Sequence, residues 1–454
     1  MSKKPQFASK IGLIAATVGS AVGLGNVWRF PAEAQANGGA AFLIIYILCV
    51  FLLGVPVMVT EFALGRSGRS DAVGSFKNLG AKKFWWGVGG LAILASYMIL
   101  WFYMVVAGWT FEYLWQSATG ALYSPVAGDS GDLSARFAIK MKEFITQGWN
   151  PLINTYIIIV LNIAVLIGGV QKGIERLSNV LMPLLFLILV IFCCVSLSLP
   201  GAPEGLEFFL SPDFSKITPG VMLNALGQAF FSLSLGMGIL VTYSSYFPKN
   251  TRLTRTAVTV SLLDLLVAVM MGIIIFPAVT TFHLEGEGMR GATLVFITLP
   301  EVFAQMDWTR FWSSLFFLLL TVAAVTSTIS LAEVIVAFLQ DRFGFARLKA
   351  VFTALLPLFL FSSICSLSQG PLDYIQIFGR NIFDFLDNLA TNIFLPIVAL
   401  LMCVYMGWFA PHNLLKDQLS NYGTISTRLY KPLIFIIRYI APALIALVLI
   451  PALL

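Results

Sequence analysis

The stretch Gly19-Ser20-Ala21-Val22-Gly23-Leu24-Gly25-Asn26-Val27-Trp28-Arg29-Phe30-Pro31 interrupts the first long apolar segment of the chain. Its glycines lower helix propensity, and an amide and a guanidinium follow where bilayer depth is expected. Backbone groups freed from helical hydrogen bonds cannot face lipid, so they must line a cavity or coordinate a ligand. Loose carbonyl oxygens suit cations, and a half-helix N-terminus suits a carboxylate. The stretch therefore predicts the site of an ion-coupled transporter.

The composition is that of an integral membrane protein. The 454 residues are 58% hydrophobic and only 11% charged, and the mean hydropathy is +0.88. The five cysteines lie in apolar runs without metal-ligand spacing, which favours buried thiols over a disulfide framework. No cleavable signal peptide is expected, because the first apolar segment continues without a credible cleavage site.

Eleven apolar segments are each near or above the roughly 20 residues that a membrane span requires. The predicted spans are 11–36, 40–65, 86–118, 152–171, 174–199, 220–247, 256–282, 309–340, 350–366, 376–409 and 432–453. The closest pair is 152–171 and 174–199, which only Lys172 and Gly173 separate.

The lysines and arginines between the segments predict the orientation. With the N-terminus inside, the cytoplasmic stretches hold 19 of them and the outer loops hold six. This excess places the N-terminus in the cytoplasm and, with an odd number of spans, the C-terminus outside the cell. The net charge of +6 is thus a topology signal of a multi-pass inner-membrane protein, and nucleic acid is not implied as a partner.

A second interruption lies five segments after the first. Residues 227–238 read Gly-Gln-Ala-Phe-Phe-Ser-Leu-Ser-Leu-Gly-Met-Gly, again with small and hydroxylated residues at mid-span. A single glycine pair in a membrane helix is most often close packing. Two such breaks in corresponding positions of two five-helix halves indicate an inverted repeat instead.

The run from Gly19 to Pro31 resembles a highly specific signature of the neurotransmitter:sodium symporter family. Segments one, three, six, seven, eight and ten all resemble that family, so the similarity covers almost the whole chain. Met237 and Asp264, together with eleven spans, are most similar to bacterial family members that transport several hydrophobic amino acids. The resemblance implies an all-α integral membrane protein with a 5+5 inverted repeat, helices 1 and 6 broken at mid-membrane, and one additional helix.

The resulting domain prediction has four parts. Residues 1–10 form a cytoplasmic gate segment, 11–199 the first repeat, 220–409 the inverted second repeat, and 432–453 the eleventh helix. No obligate protein partner is implied beyond the lipid bilayer.

Two sodium sites follow from the resemblance, and their hard oxygen ligands suit an alkali cation. The first site is expected to consist of Ala21, Asn26, Ser232 and Asp264, completed by the carboxylate of the substrate. The second is expected to consist of Gly19, Val22, Ala323, Thr326 and Ser327. Back-bonding of the hydroxyls to the preceding helical turn is the alternative reading of Thr326 and Ser327.

Asp264 departs from the asparagine that is commoner at its position in the family. A carboxylate inside a membrane segment needs a cation or a proton. Many animal relatives bind chloride beside the first sodium ion. Here Asp264 supplies the negative charge. Ala268 occupies the position where the chloride-binding serine is expected, so no chloride requirement is expected. A protonated, hydrogen-bonded aspartic acid is the alternative.

The substrate prediction depends on Gly23, where monoamine carriers of the family have an aspartate. Glycine leaves room for a carboxylate at the exposed backbone, and Tyr103 matches the tyrosine that holds it. The predicted binding residues are mostly apolar and include a flexible methionine, which indicates a hydrophobic or aromatic L-amino acid. They are Ser20, Ala21, Gly23, Gly25, Ile99, Tyr103, Val106, Phe231, Ser232, Ser234, Met237, Thr328 and Leu331.

Charged pairs are predicted to gate the site. Outside it, Arg29 is expected to pair with Asp387 above a lid of Phe231 and Tyr103. Inside it, Asp341 is expected to pair with Lys4 near Tyr246, although the family usually has arginine at Lys4 and tryptophan at Phe7. In the fifth segment, Gly173 and Pro183 resemble a family motif at which this helix unwinds.

Other classes of function remain as alternatives. A membrane enzyme lacks a candidate nucleophile–base pair or metal cluster in this sequence, which has only two histidines, near segment ends. An amino acid-gated channel would share the broken helices, but gate charges on both sides favour alternating access. A transport-dead amino acid receptor on the same fold is the third possibility.

Overall fold

The computed structural model describes residues 5–125, 133–283, 294–425 and 428–453. Apart from loops and one hairpin with two strands of two residues each, these residues are helical, as the all-α prediction requires. The helices, some of which contain π-helical turns, are α1 Lys10–Ala21, α2 Gly25–Ala36, α3 Ala40–Gly68, α4 Ala72–Asn78, α5 Lys83–Thr119, α6 Leu133–Thr146, α7 Trp149–Ile167, α8 Val170–Leu197, α9 Ala202–Leu210, α10 Pro219–Ser232, α11 Ile239–Ser245, α12 Leu253–Thr281, α13 Leu294–Ala304, α14 Thr309–Phe343, α15 Arg347–Leu367, α16 Ile382–Phe409, α17 Leu414–Leu419 and α18 Tyr430–Ile450.

Nine of the described helices are long and apolar enough to cross a membrane, and the α1–α2 pair makes a tenth when counted as one broken span. The remaining predicted span, 220–247, consists of α10 with 14 residues and α11 with seven. Length and composition alone therefore do not fix the helix count at eleven. The two breaks nevertheless lie where the sequence predicts them.

The first break bends the chain by 54° between α1 and α2. It begins at Val22, whose extended backbone (ψ 103°) ends α1. The second break joins α10 to α11 through Ser234, Gly236 and Gly238, which all have positive φ. Glycine adopts such backbone angles without steric cost, and a Cβ at Gly236 would also collide with the carbonyl oxygen of Leu395. Both breaks are thus written into the local sequence.

The two breaks lie at the centre of the bundle. Helix α1 packs against α8, α12 and α14, while α10 and α11 both pack against α3. Among the described helices, α5 and α14 form the most extensive contact with each other. These two helices supply the side walls of the site. We call the face that carries the start of α1 the N-terminal face.

Two predicted boundaries are wrong. The fourth and fifth spans do not meet at Lys172 and Gly173, which lie inside α8; the turn is at Gly168 and Gly169. Gly169 has a φ of +72°, and a Cβ at Gly173 would collide with the carbonyl oxygen of Val165. Gly173 is therefore a close-packing residue in this structure.

The tenth span starts later than predicted. Residues 376–381 belong to a hairpin of β1 Gln376–Ile377 and β2 Arg380–Asn381, and α16 begins at Ile382 with Asn381 as its N-cap. The predicted span 376–409 includes this hairpin, because counting apolar residues does not separate it from the helix that follows. Short helices outside the spans, such as α4, α6, α9 and α17, were not predicted.

Candidate functional site

The two helix breaks face each other and share hydrogen bonds. Ser234 Oγ donates to the carbonyl oxygen of Ser20 at 2.8 Å, and Gln228 Nε2 donates to the carbonyl oxygen of Gly25 at 3.1 Å. These side chains donate hydrogen bonds to backbone carbonyl oxygens next to the breaks. Buried backbone groups need such partners, so the bonds stabilise the unwound chain at the centre of the bundle.

Beside the breaks, three predicted ligands of the first sodium site form one buried cluster. Asn26 Nδ2 donates to Ser232 Oγ at 2.9 Å and to Asp264 Oδ1 at 2.8 Å. Ser232 Oγ donates to Asp264 Oδ2 at 2.7 Å. Tyr46, which sequence reasoning missed, donates its hydroxyl to Ser232 Oγ at 3.1 Å. All four side chains are at most 1% exposed.

The charge of Asp264 has no protein counterion in this cluster. Among the described residues, the ion pair found is on another part of the molecule, between Arg347 and Glu333. A fully buried carboxylate is costly unless a cation or a proton neutralises it. The oxygens of Asn26, Ser232 and Asp264 are the hard donors that a sodium ion takes, so the residues present fit such an ion.

Two of the predicted residues of the second sodium site, Gly19 on α1 and Thr326 on α14, lie close together. A Cβ built at Gly19 would be 3.5 Å from Cβ of Thr326, so α1 and α14 touch at this point. Thr326 Oγ1 donates to the carbonyl oxygens of Val322 at 3.1 Å and Ala323 at 3.0 Å. The back-bonded hydroxyl considered from sequence is thus present in this structure, next to the broken end of α1.

A small cavity lies between the breaks, α5 and α14, with a volume of about 30 Å³. Eleven of the thirteen predicted substrate residues line it, together with Ile239 and Ser327. The eleven are Ser20, Ala21, Gly23, Gly25, Ile99, Tyr103, Phe231, Ser232, Ser234, Met237 and Leu331.

The two other predicted substrate residues, Val106 and Thr328, are buried but do not line this cavity. Thr328 Oγ1 instead accepts from Asn162 Nδ2 at 3.0 Å and donates to the carbonyl oxygen of Val325 at 2.9 Å. The helical turn that carries Thr328 points it toward α7, which the sequence alone did not indicate.

Gly23 is the position at which a side chain would fill the cavity. A Cβ there would lie 2.7 Å from Ser327 Oγ and 3.0 Å from the hydroxyl oxygen of Tyr103. The Tyr103 hydroxyl accepts from the backbone N–H of Leu24 at 3.1 Å. Backbone, tyrosine and serine therefore surround one point at the first break.

On the side opposite the N-terminal face, Arg29 covers the cavity roof without forming the predicted ion pair. Its guanidinium carbon lies 4.7 Å from the ring centroid of Phe231. Asp387 is not within ion-pair distance of Arg29 among the described residues. Above Phe231 a vestibule of about 360 Å³ is lined by Arg29, Glu33 and Arg380, among other residues. The arginine makes this cation–π contact with the ring in place of the predicted ion pair.

The N-terminal face is closed by a buried ion pair that the sequence analysis missed. Arg347 donates to both oxygens of Glu333, at 2.9 and 2.6 Å, and Tyr246 donates its hydroxyl to Glu333 Oε1 at 2.8 Å. Asp341 accepts from the backbone N–H of Asp71 at 2.7 Å and from Ser70 Oγ at 3.1 Å. Lys4, its predicted partner, lies outside the described residues.

The start of α1 is held by α8 and α11. Glu175 accepts from the backbone N–H of Ala8 at 2.8 Å and from the backbone N–H and hydroxyl of Ser9 at 2.9 and 2.8 Å. Phe7 packs edge-on against Tyr243 and Tyr246. The fifth segment, with Gly173 and Pro183, is helical throughout in this structure, so its unwinding stays a prediction.

The missed acids share the signal that marked Asp264. Glu61 and Glu333 are single carboxylates inside apolar runs, and both are fully buried. Glu61 accepts from the backbone N–H of Gly236 at 2.8 Å and so supports the second break. Tyr46 carries no such signal, because a tyrosine in an apolar segment is commonly a core residue.

Comparison with known proteins identifies the family of this chain. The model of the sodium:neurotransmitter symporter family matches residues 4–126 and 132–454. The chain belongs to this family. It is therefore a sodium-coupled membrane transporter and not an enzyme.

Individual relatives of this symporter are similar over most of its length. It is 36% identical to an uncharacterized sodium-dependent transporter of Bacillus subtilis, over 98% of this chain and 97% of the relative. It is 30% identical to the sodium-dependent serotonin transporter of Drosophila melanogaster, over 80% of this chain and 63% of that protein. The crystal structure of MhsT in complex with L-phenylalanine superposes with a TM-score of 0.88 at 40% identity, covering 99% of this chain and all of MhsT.

Proposed function

We propose that this symporter imports hydrophobic and aromatic L-amino acids together with two sodium ions, by alternating access and without chloride. The observation that carries the proposal is the buried, counterion-free Asp264 beside two helix breaks and a cavity that is apolar apart from hydroxyls and backbone. The N-terminus is cytoplasmic and the C-terminus extracellular, as the lysine and arginine distribution favours.

The first sodium ion takes Asp264 and Ser232 as ligands, with Asn26 and the carbonyl oxygen of Ala21. Asn26 Nδ2 faces the carboxylate in this structure. A cation at this point repels the amide N–H and favours the amide rotated by half a turn, with Oδ1 toward the ion. The bound ion neutralises Asp264, so its binding energy relieves the cost of a buried charge.

The second sodium ion takes the carbonyl oxygens of Gly19, Val22 and Ala323 and the hydroxyls of Thr326 and Ser327. Support comes from the contact between Gly19 and Thr326 and from the general lack of helical partners for the last carbonyls of a helix such as α1. Because this set joins α1 to α14, its ion couples the broken helix to the scaffold.

Chloride is unnecessary because the negative charge is built in. Ala268 has no hydroxyl, and Tyr46 and Ser232 direct hydrogen bonds at the Asp264 carboxylate. An anion placed next to this carboxylate would be repelled and would have to lose its hydration shell. The charge balance of the first site therefore closes with sodium and Asp264 alone.

The substrate is an amino acid because Gly23, Tyr103 and the first sodium ion together suit a carboxylate. MhsT, whose crystal structure contains L-phenylalanine, supports this class. The cavity of about 30 Å³ holds only one or two water molecules. A phenylalanine side chain enters only after Met237 or Phe231 changes rotamer, and a flexible methionine suits guests of different shape.

Uptake into proteoliposomes tests the proposal. With an inward sodium gradient, labelled leucine, phenylalanine and tryptophan should accumulate, and replacing sodium by potassium should abolish uptake. Glutamate and lysine should not compete, because their side-chain charges would be buried without a partner. Tyramine should not compete either, since the sodium site would lose the substrate carboxylate. Substrate binding without uptake would identify a receptor, and large uncoupled currents a channel.

A gluconate exchange tests the chloride part separately. Replacing chloride by gluconate on both sides should leave the initial rate unchanged. Asp264→Asn should inactivate the carrier or make its rate chloride-dependent once Ala268→Ser is added. A strict chloride requirement of the unmutated symporter would show that Asp264 does not supply the missing charge.

A further inference from the structure

Three arginines border a groove that lies apart from the helix breaks and the cavity between them. The groove has a volume of about 690 Å³ and lies at the N-terminal face, between the start of α12 and the start of α18. Arg252, the N-cap of α12, and Arg255 in its first turn border one side. Arg428 borders the groove from the chain that leads into α18. All three side chains are exposed, and no acidic residue lines this groove among the described residues.

None of the three guanidinium groups has a hydrogen-bond or ion-pair partner within the described part of the chain. The ion pair in that part joins two other residues, Arg347 and Glu333. Like charges that border one groove repel each other, and an anion in the groove reduces this repulsion. Arginine is the side chain best suited to grip phosphate oxygens, because its planar fork donates two parallel hydrogen bonds.

The two walls of the groove are fixed to each other. Arg66 donates from Nη1 to the carbonyl oxygen of Thr251 at 2.5 Å and to Asn421 Oδ1 at 3.0 Å. It also donates from Nε to Gln418 Oε1 at 2.6 Å. Since Thr251 precedes Arg252, and Gln418 and Asn421 lie on either side of Leu419, which lines the opposite wall, this buried arginine holds both walls in register. The groove between these two walls is thus fixed by a buried side chain.

An apolar stripe continues from the arginines toward the membrane interior. Along α12, Arg255, Leu262 and Leu266 are spaced seven and four residues apart, so they lie on one helix face. Leu262 is 49% exposed and Leu266 is 45% exposed. Further along α18, beyond the groove residue Tyr430, Phe435 is 55% exposed and Tyr439 is 49% exposed. These surfaces face the hydrocarbon region of a chain that spans the membrane.

We infer that this groove binds an anionic phospholipid of the leaflet on the N-terminal face. Its phosphate headgroup lies among Arg252, Arg255 and Arg428, and an acyl chain runs along Leu262 and Leu266. Basic pockets between membrane helices on the cytoplasmic side suit such headgroups. The combination of cations at the interface and an apolar track below them fits a lipid better than a soluble phosphate compound, which would leave the track without an occupant.

Native mass spectrometry of the delipidated full-length symporter tests the inference with palmitoyl-oleoyl phosphatidylglycerol as the probe. The protein should retain one such lipid at concentrations where phosphatidylcholine is lost. The triple variant R252Q/R255Q/R428Q should weaken retention by about tenfold or more, given the strength of single basic contacts to anionic lipid. The conservative variant R252K/R255K/R428K should lie between the two.

A matched control separates a defined site from diffuse charge. The variant K82Q/K83Q/R342Q removes three exposed basic residues elsewhere on the same face and should leave retention unchanged. A photoactivatable phosphatidylglycerol should label peptides spanning 252–266 and 428–439 in the unmutated protein.

Four binding outcomes would overturn the inference, and a fifth concerns the oligomeric state. They are unchanged retention in R252Q/R255Q/R428Q, equal loss in the control variant, equal retention of phosphatidylcholine, and binding of inorganic phosphate in place of the lipid. A second copy of the chain in the groove would appear as a dimer that the triple variant dissociates, which would also contradict a lipid. Should R252Q/R255Q/R428Q fold poorly, the lysine variant and the labelled peptides decide the question.

Discussion

Asp264 concentrates the chemistry of the buried site in one carboxylate. Asn26, Ser232 and Tyr46 all direct polar groups at it, yet hydrogen bonds alone do not remove its charge. A cation that binds here therefore gains both ligands and the relief of a buried charge. The residues around Asp264 should accordingly control sodium affinity more strongly than they control packing.

Asn26→Ala is expected to weaken sodium binding strongly while the protein still folds. The change removes one oxygen ligand and the hydrogen bonds to Ser232 and Asp264, a loss on the order of 1–3 kcal/mol. The sodium concentration for half-maximal uptake should rise by about tenfold or more. Asn154→Ala is the matched control, because Asn154 is a buried asparagine that bonds Glu112 and the carbonyl oxygen of Asn150, away from the breaks. Unaltered sodium dependence in Asn26→Ala would remove this residue from the coupling mechanism.

Gly25→Ala is expected to narrow the substrate site. The added Cβ would lie 2.7 to 2.8 Å from the ring of Phe231, so the ring must move into space that a large substrate needs. Tryptophan uptake should therefore fall more than leucine uptake, by about 1–3 kcal/mol in binding free energy. Competition of both amino acids against labelled leucine measures the difference.

Gly227→Ala is the control for this substitution, because a Cβ at Gly227 meets no atom within 4 Å. It should leave the ratio of tryptophan to leucine uptake unchanged. Equal losses of both substrates in Gly25→Ala would contradict the position proposed for the side-chain pocket.

At the scale of elements, the sequence predicts the breaks well and some boundaries poorly. The interruptions near Gly23 and Gly236 have a local cause, because the glycines in both stretches disfavour a continuous helix. Both can therefore be predicted from the sequence. The turn at Gly169 and the hairpin at 376–381 also contain a glycine with positive φ, Gly169 and Gly379, but apolar residues on both sides conceal these connections in the sequence. Apolar counting cannot distinguish a helix from such connections when both are rich in apolar residues.

The same distinction applies to the site. Motif residues from Gly19 to Arg29 were predicted, because their composition contradicts a simple membrane helix. Arg347 was not, because a basic residue at a loop is an ordinary topology signal; its pairing with Glu333 depends on how α14 and α15 pack. Thr328 was misplaced for a related reason, since its direction on α14 depends on the exact rotation of that helix.

Glu175→Gln is expected to loosen the start of α1. The carboxylate receives hydrogen bonds from Ala8 and Ser9, and an amide offers only one acceptor oxygen while its own N–H groups face donors. Hydrogen exchange at the amides of residues 8–12 should accelerate by about tenfold. Glu204→Gln, at an exposed acid near the start of α9, should leave this exchange unchanged. Equal protection in both variants would show that α1 is held by Phe7 and its aromatic neighbours alone.

For the whole molecule, the structure is asymmetric between its two faces. A vestibule reaches down to Phe231 from one side, while the N-terminal face is closed by the Glu333–Arg347 pair, by Tyr246 and by the packed start of α1. Alternating access requires this closed side to open. The buried ion pair should therefore set the balance between the two faces without touching substrate or sodium.

Arg347→Gln is expected to shift the molecule toward opening at the N-terminal face, because Glu333 would be left buried without its cation. Breaking a buried pair from one side costs about 3–5 kcal/mol, whereas Glu333→Gln/Arg347→Gln removes both charges and should restore part of the loss. Hydrogen exchange across α11, measured for both single variants and the double variant, gives the coupling energy. Exchange should rise in each single variant and fall back in the double variant, and saturating sodium should suppress it in all of them. If the single changes simply add, the pair does not act as the seal, and closure of this face depends on the aromatic packing around Phe7.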